Sequence, residues 1–321
     1  MILTKFILIA RETTDGVGKG WFFLLGFLLK KLHFRNHNPD KASGQHTSPV
    51  YLSKDLEKNL QILREALGQS SDVIIRDMKI SSNTNIDAAV IYIDGLVDKG
   101  LLNDNILQPL MFNLQLIKDN VNQNRLSLID FIKSSVLTVG QITGTEDIDR
   151  VVSDVLTGQT AILLEGVTQA LLIDTKGWQA RSIEESKNEV SIRGPKDSFT
   201  ETLRTNTALL RRKIRDPRLT FQSLQIGERS KTDVSVAYIK GITPDDLIAE
   251  INQRLKRIDT DAILDAGYIE QFIEDSPKSL FPTVGSSERP DVVAARILEG
   301  RAAILVDGSP MALTVPFLFI E

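Results

Sequence analysis

Leu156-Thr157-Gly158-Gln159-Thr160-Ala161-Ile162-Leu163-Leu164-Glu165-Gly166-Val167-Thr168-Gln169-Ala170-Leu171 returns, changed but recognisable, as Leu298-Glu299-Gly300-Arg301-Ala302-Ala303-Ile304-Leu305-Val306-Asp307-Gly308-Ser309-Pro310-Met311-Ala312-Leu313. The offset is 142 residues (300 minus 158). A second echo lies upstream of each copy: Val90, Tyr92, Ile93 and Gly95 recur as Val236, Tyr238, Ile239 and Gly241, offset by 146 (241 minus 95). Two blocks in one order at nearly one offset imply two lobes of related fold in tandem. Chance likeness between buried hairpins is the competing reading. Two lobes leave a groove, and ligands favour grooves at domain interfaces.

Each copy reads as a helix followed by a hairpin. Residues 146–156 have helical character and are followed by Gly158, the residue type that ends helices. Residues 160–164 read as a strand, Glu165-Gly166 as a turn and 169–173 as the returning strand. In the second copy Pro290 opens the helix at its first turn and Gly300 ends it. Residues 302–306 and 312–315 then flank the turn Asp307-Gly308. Elsewhere in the first lobe, 52–67 has helical periodicity, with apolar Leu56, Leu60, Leu63 and Leu67. Residues 72–80 and 88–93 read as strands, 97–116 and 130–133 as helical, and 134–141 as a strand. Helices and strands mix without a strict alternation. The expected fold is therefore a mixed α/β (α+β) protein of two lobes related by internal duplication, joined by a linker, with a cleft between. The expected division is a tail at 1–49, lobe 1 at 50–175, a connecting loop and helix at 176–218, and lobe 2 at 219–321.

Composition limits the chemistry. The chain has 321 residues, 42% apolar and 25% charged, within the globular range and long enough for two domains. A net charge of −4 gives no global argument for nucleic acid. Cysteine is absent, so no disulfide or thiolate metal site can form, which fits a reducing compartment. The histidines, His33, His37 and His46, all lie in the first fifty residues. The repeated body thus lacks the residues of Ser-His-Asp and Cys-His catalysis and of ordinary zinc sites. There is no Walker loop and no G-x-G-x-x-G; Gly16-Val17-Gly18-Lys19-Gly20 lacks the phosphate-cradling spacing. No enzyme, cofactor or metal is expected. Glu165 and Asp307 are repeat-equivalent carboxylates, but both occupy hairpin turns, where acids are common.

The N-terminal stretch differs from the body. Residues 21–29 form an apolar run followed by Lys30, Lys31 and Arg35. The run is shorter than the roughly 20 residues that span a bilayer. It reads either as a membrane-interfacial helix or as a helix packed on the body. Residues 36–49 read as a linker.

The most polar stretch lies between the two copies. Arg193-Gly194-Pro195 is a loop signal. Ser198 with Glu201 fits a capping box opening a helix that runs to about Ile214. Its bases come late, as Arg211, Arg212, Lys213 and Arg215, which suits the helix dipole. They read as a solvated helix end or as contacts to anionic headgroups or to the other lobe. Asn206 stands mid-helix, where asparagine is unfavourable, so its amide is expected either to tie the lobes or to hold a ligand.

The run from Glu185 through Ile192 into Arg193-Gly194-Pro195-Lys196-Asp197-Ser198-Phe199-Thr200-Glu201 resembles the signature of the A-subunit family of bacterial spore germinant receptors. The likeness continues through Leu203, Asn206, Leu210, Arg211 and Arg212, then resumes at Ser287-Glu288-Arg289-Pro290-Asp291 and Glu299-Gly300-Arg301. It covers roughly residues 135–321. The family usually has proline at the position of Ser186 and glycine at that of Ser198; the segment around Trp21 matches nothing in it. The resemblance implies a cytosolic N-terminal region of a protein of the spore inner membrane, followed by a membrane bundle absent here. It implies B and C subunits as partners, an oligomer in the full receptor, no nucleic acid, and nutrients as triggers of germination.

Two functions from different classes are expected. In one, a small nutrient binds in the interlobe cleft, lined by Arg193, Asn206, Arg211, Arg289 and Glu201. In the other, the domain is a structural coupler that docks or oligomerises, and the same residues hold the lobes together. Arg289 is expected to contact Glu201 or Glu189.

Overall fold

The computed structural model describes residues 49–80, 86–112, 129–177, 189, 194–274 and 282–317. Two five-stranded sheets fill these segments. The first contains β1 (Val73–Ile80), β2 (Ile86–Ile93), β3 (Ile142–Thr145), β4 (Gln159–Leu164) and β5 (Ala170–Asp174), in the order β1-β2-β4-β5-β3. The second contains β6 (Leu219–Ile226), β7 (Thr232–Ile239), β8 (Gly285–Ser287), β9 (Ala302–Val306) and β10 (Ala312–Val315), in the order β6-β7-β9-β10-β8. The order is the same, and every neighbouring pair is antiparallel. Register repeats too: Val90 faces Ile162 in the first sheet and Val236 faces Ile304 in the second. The two sequence blocks that recur are thus the paired central strands of each sheet.

Both faces of each sheet are covered. In the first, α1 (Leu56–Leu67) and α4 (Ile148–Leu156) bury Leu60, Leu63, Val151 and Val155 against Ala89, Ile91, Ala161 and Leu163. The opposite face, with Val90, Ile162 and Leu171, is covered by α2 (Lys99–Leu102), a π-helical turn (Asn103–Leu107), α3 (Gln108–Phe112) and a second π-helical turn (Ile132–Val136). In the second sheet α5 (Leu203–Lys213) and α8 (Pro290–Leu298) pack on Ala237, Ile239, Ala303 and Leu305. There α6 (Asp245–Lys256) and α7 (Ala266–Ile273) pack on Val234, Val236, Ile304 and Val306. Strands buried on both faces read as continuous apolar runs, which is why 88–93 and 302–306 lack a polar alternation.

Gly158 and Gly300 follow the ends of α4 and α8 with φ of 94° and 92°. A Cβ there would lie 3.1 Å from the Leu96 carbonyl oxygen and 3.2 Å from that of Ile242. Left-handed backbone and close approach together require glycine at both repeat-equivalent positions.

Residues 134–141 differ from the expectation of a strand. The chain makes the helical turn to Val136, and the strand comes later, at Ile142–Thr145. Ile132 and Val136 bury one turn apart, and a short apolar run does not by itself distinguish strand from buried helix. The expected helix over 97–116 is realised as the broken series to Phe112; 113–116 and the stretch around Trp21 lie outside the described residues.

Candidate functional site

The lobes meet where the Ser70-Ser71-Asp72 run enters β1. Ser71 N–H donates to the Phe221 carbonyl of β6 at 2.9 Å. Phe221 N–H donates to Ser70 Oγ at 2.9 Å, and Ser223 Oγ to Ser71 Oγ at 2.8 Å. Arg211, near the end of α5, closes this contact. Its Nε and Nη2 each donate to one oxygen of Asp72, both at 2.9 Å. Nη2 also donates to Ser70 Oγ at 3.2 Å, and the guanidinium lies over the Phe221 ring, 5.1 Å from its centroid. The side chains of Arg211 and Asp72 are 0% and 1% exposed. A two-pronged Arg–carboxylate pair fixes orientation as well as distance. Dry on all sides, it holds the lobes in one register.

A second tie is wetter. Asp94, in the turn after β2, meets Arg204 of α5 at 3.1 Å and Lys99 of its own lobe at 3.0 Å. The following Gly95, at φ 94°, would place a Cβ 3.2 Å from Ala208 of α5. Ala208 itself belongs to the apolar layer of α1 and α4. Helix α5 is therefore wedged between the lobes, with Leu209 and Leu210 in the second core and Ala208 in the first.

Beside this wedge lies a groove of about 230 Å³. The first lobe supplies Leu96, Leu156 and Thr157. The second supplies Leu209, Asp197, Arg212, Lys213 and Arg215. Lys213 is held by Asp197 at 3.2 Å. The lining thus combines leucines from both lobes with three bases from the second.

The expected site residues separate. Arg211 is the interlobe tie. Asn206 faces its own lobe: its Nδ2 donates to the Thr200 carbonyl at 2.6 Å, and its Oδ1 accepts from Thr200 N–H at 2.8 Å. Glu201 is exposed, and its backbone carbonyl accepts from Gly308 N–H at 2.7 Å. Arg289 turns to Asp291, with Nη2 at 2.6 Å and Nε at 3.2 Å, rather than to Glu201. Glu189 accepts from Ser287 Oγ at 2.7 Å, and its charge also acts on Arg289. Arg193 lies outside the described residues. The capping-box reading of Ser198 gives way as well. Ser198 Oγ donates to the Glu288 carbonyl, and α5 begins at Leu203, whose N–H is capped by Asp307 at 2.9 Å.

The first lobe repeats these contacts. Asn59 Nδ2 donates to the Ser53 carbonyl at 2.7 Å, and its Oδ1 accepts from Ser53 N–H at 2.9 Å. Glu165 accepts from Leu56 N–H at 2.8 Å, and Gly166 N–H donates to the Lys54 carbonyl at 2.7 Å. The repeat-equivalent carboxylates therefore cap helices. Asp72, Ser70 and Leu96 were not singled out by sequence. Asn59, 147 residues before Asn206, was the available sign that this asparagine is structural.

Two carboxyl groups of the second lobe, Asp216 and Asp291, are held low by neighbouring arginines. The hydrogen bond from Arg218 keeps the Asp216 carboxyl below its ordinary range, against some burial. Burial pushes Asp291 up, but the Arg289 fork outweighs it and the net direction is down. Among the described residues no group of His, Asp and Glu clusters in a way that could hold a metal ion, and no helix is long and apolar enough to cross a membrane.

The sequence model of the Bacillus/Clostridium GerA spore germination protein matches residues 61–321. The chain belongs to the GerA spore germination family. Spore germination protein KA of Bacillus subtilis (strain 168) is 41% identical over 273 residues, 85% of this chain and 49% of that protein. Spore germination protein B1 of the same organism is 38% identical, over 83% of this chain and 53% of that protein. The chain spans about half the length of the curated relatives it matches. The N-terminal domain of the A subunit of the Bacillus megaterium spore germinant receptor GerK3 superposes with a TM-score of 0.64 at 39% identity, over 85% of this chain and 99% of that one. This GerA-family chain thus has the fold of a germinant receptor A-subunit N-terminal domain.

Proposed function

We propose that this chain senses a nutrient for a spore germinant receptor and passes the signal on, with a small nutrient bound in the interlobe groove. The observation that carries this is the groove itself, lined by residues of both lobes, with leucines from each and bases from the second. A ligand contacting both walls has different affinities for open and closed arrangements, and that difference is what drives closure. Signal would then leave through α5, whose two faces already belong to two cores. In the complete receptor the domain would act on the cytosolic face of the spore inner membrane. B and C subunits would be its neighbours, and a membrane-spanning part would follow it.

The test is an NMR titration of the chain with amino acids, sugars and salts. Saturable shifts at Leu96, Thr157 and Leu209, lost in Arg212→Ala or Arg215→Ala at unchanged melting temperature, support a receptor site. No shift at millimolar ligand sinks it.

The buried Asp72–Arg211 pair favours a second reading. A domain whose lobes are bolted by a dry ion pair can serve as a rigid coupler, with nutrient bound by another subunit. Arg211→Ala would then lower stability or assembly while no ligand affinity exists to change.

A further inference from the structure

Lobe 1 receives α5 in a seat that lobe 2 also possesses. In lobe 1 the seat is the turn after β2 together with the end of α4. A Cβ at Gly95 would lie 3.2 Å from Ala208 of α5, and Leu96 and Leu156 are 1% and 3% exposed. The repeat carries these positions into lobe 2. A step of 146 residues takes Gly95 and Leu96 to Gly241 and Ile242, and one of 142 takes Leu156 to Leu298. The local geometry is kept, since Gly300 packs under the Ile242 carbonyl as Gly158 packs under that of Leu96. The cover is not kept. Among the described residues nothing lies within 4 Å of a Cβ at Gly241, and Ile242 and Leu298 are 38% and 53% exposed. Scattered surface apolars need no explanation, but these two are the counterparts of a pair buried beside α5.

The counterpart of α5 is α1. Each opens on a leucine capped by its own lobe's hairpin turn, and Asn59 and Asn206 set the offset at 147 (206 minus 59). Helix α5 turns Arg204, Ala208 and Arg211 to lobe 1, at spacings of four and three that share one helix face. The same stripe of α1 is Glu57, Gln61 and Arg64, and all three are exposed. The charges change together. Asp94 of the seat meets Arg204 of α5 at 3.1 Å. The matching positions are Lys240, which is exposed, and Glu57, whose side chain is 80% exposed. An acid on the seat with a base on the helix becomes a base on the seat with an acid on the helix, and such complementarity fixes partner and register. Leu209, which lines the groove with Leu96 and Leu156, has the partly buried Ile62 as its counterpart.

Within one chain α1 is packed on the first sheet, so the α1 that fits lobe 2 belongs to a second copy. We propose that α1 of one chain docks on Lys240, Gly241, Ile242 and Leu298 of the next, head to tail, repeating between chains the contact that joins the lobes. The two partners use different surfaces, so the contact builds a ring or a filament and not a two-fold dimer. It is weaker than the contact between lobes. Arg218 stands where Asp72 stands in lobe 1, and Asp216 holds it at 2.7 Å, so the dry Asp72–Arg211 pair has no counterpart. Association is therefore reversible and depends on concentration.

The chain has no cysteine, so single introduced thiols report the geometry directly. Chains of residues 1–321 carrying Glu57→Cys or Lys240→Cys are mixed in equal amounts and oxidised. A disulfide-linked dimer is expected in the mixture at several-fold the yield of either variant alone. Adding Ile242→Glu to the Lys240→Cys chain should lower that yield several-fold. An equal yield from one variant alone would mean a two-fold contact, and no dimer would mean no contact; either overturns the proposal. Sedimentation velocity of the unmodified chain gives a second readout. Its mean mass should rise with concentration, fall in Lys240→Glu and recover in Glu57→Lys/Lys240→Glu. All the substituted residues are exposed, so both cores stay intact. A monomer mass at every concentration up to millimolar, or a Lys240→Glu loss that Glu57→Lys does not restore, overturns the proposal and leaves the seat to a different partner.

Discussion

Asn206 and Asn59 show how much one amide can do inside a helix. Each is almost fully buried, 1% and 2% exposed, and each folds its side chain back on the residue six positions earlier. The exchange mimics a backbone pair and pins the extended approach to the helix. Alanine would leave a backbone N–H and a carbonyl without partners, at a cost of about 1–3 kcal/mol. Asn206→Ala and Asn59→Ala should therefore lower stability by similar amounts in chemical denaturation. A loss confined to Asn206 would point to a separate task for that residue. Glu270 offers a test of opposite sign. Its carboxyl is pushed up by burial first, then by Glu274 and Asp265. A raised acid stabilises the fold while protonated, and that contribution disappears as pH rises through its folded value. Glu270→Gln should raise the melting temperature at neutral pH, with the gain shrinking as pH falls towards the ordinary carboxylate range. An equal shift at both ends would exclude titration as the cause. Asp216 and Asp291, held low, behave oppositely: their contribution is present above ordinary carboxylate values and is lost as pH falls through the depressed ones.

At the scale of elements, the hairpin turn and the first helix of each lobe form one unit. Glu165 caps Leu56 and Asp307 caps Leu203, across more than a hundred residues of chain. An adjacent glycine N–H completes each lock. The carboxylates also complement the helix dipoles. Glu165→Ala and Asp307→Ala should each cost about 1 kcal/mol, as for other lost N-caps, measured by denaturant midpoint at unchanged slope. Asp307→Asn, which keeps an acceptor, should recover most of the loss. The hairpins and their helices were legible in the sequence because glycine, turn acids and apolar runs recur at fixed spacing. The caps were not, since Ser198 and Glu201 supplied a local capping pattern while the actual cap arrives from a distant turn. Nor was the partner of Arg211 legible: Asp72 lies outside every repeated block, and periodicity says nothing about charges that meet across a lobe boundary. The groove wall followed the same rule. Arg211, Arg212, Lys213 and Arg215 formed one basic cluster in the sequence, and only packing separates the buried tie from the three residues that line the groove.

The whole molecule comes down to how firmly two complete lobes are joined. Each owns a sheet covered on both faces, so each buries its own apolar layers and has the makings of an independent folding unit. Among the described residues what joins them is narrow: α5 as a wedge, the serine contacts to β6, the partly exposed Asp94–Arg204 pair and the dry Asp72–Arg211 pair. Surface pairs contribute little, whereas removing one partner of a buried pair costs about 3–5 kcal/mol because the other charge is stranded. Arg211→Ala should thus do more than lower stability. It strands Asp72 at the boundary and removes the cation that also engages Ser70 and Phe221. The wild-type chain should melt in one calorimetric transition, and the variant in two, the lobes separating before either core is lost. Asp72→Ala with Arg211→Ala should restore part of the stability, because no charge is then left unpaired, yet still melt in two steps. A single unshifted transition in Arg211→Ala would mean that the wedge alone couples the lobes. Signal transmission would then have to run through the apolar seat of Ala208 against the first core, and not through the ion pair.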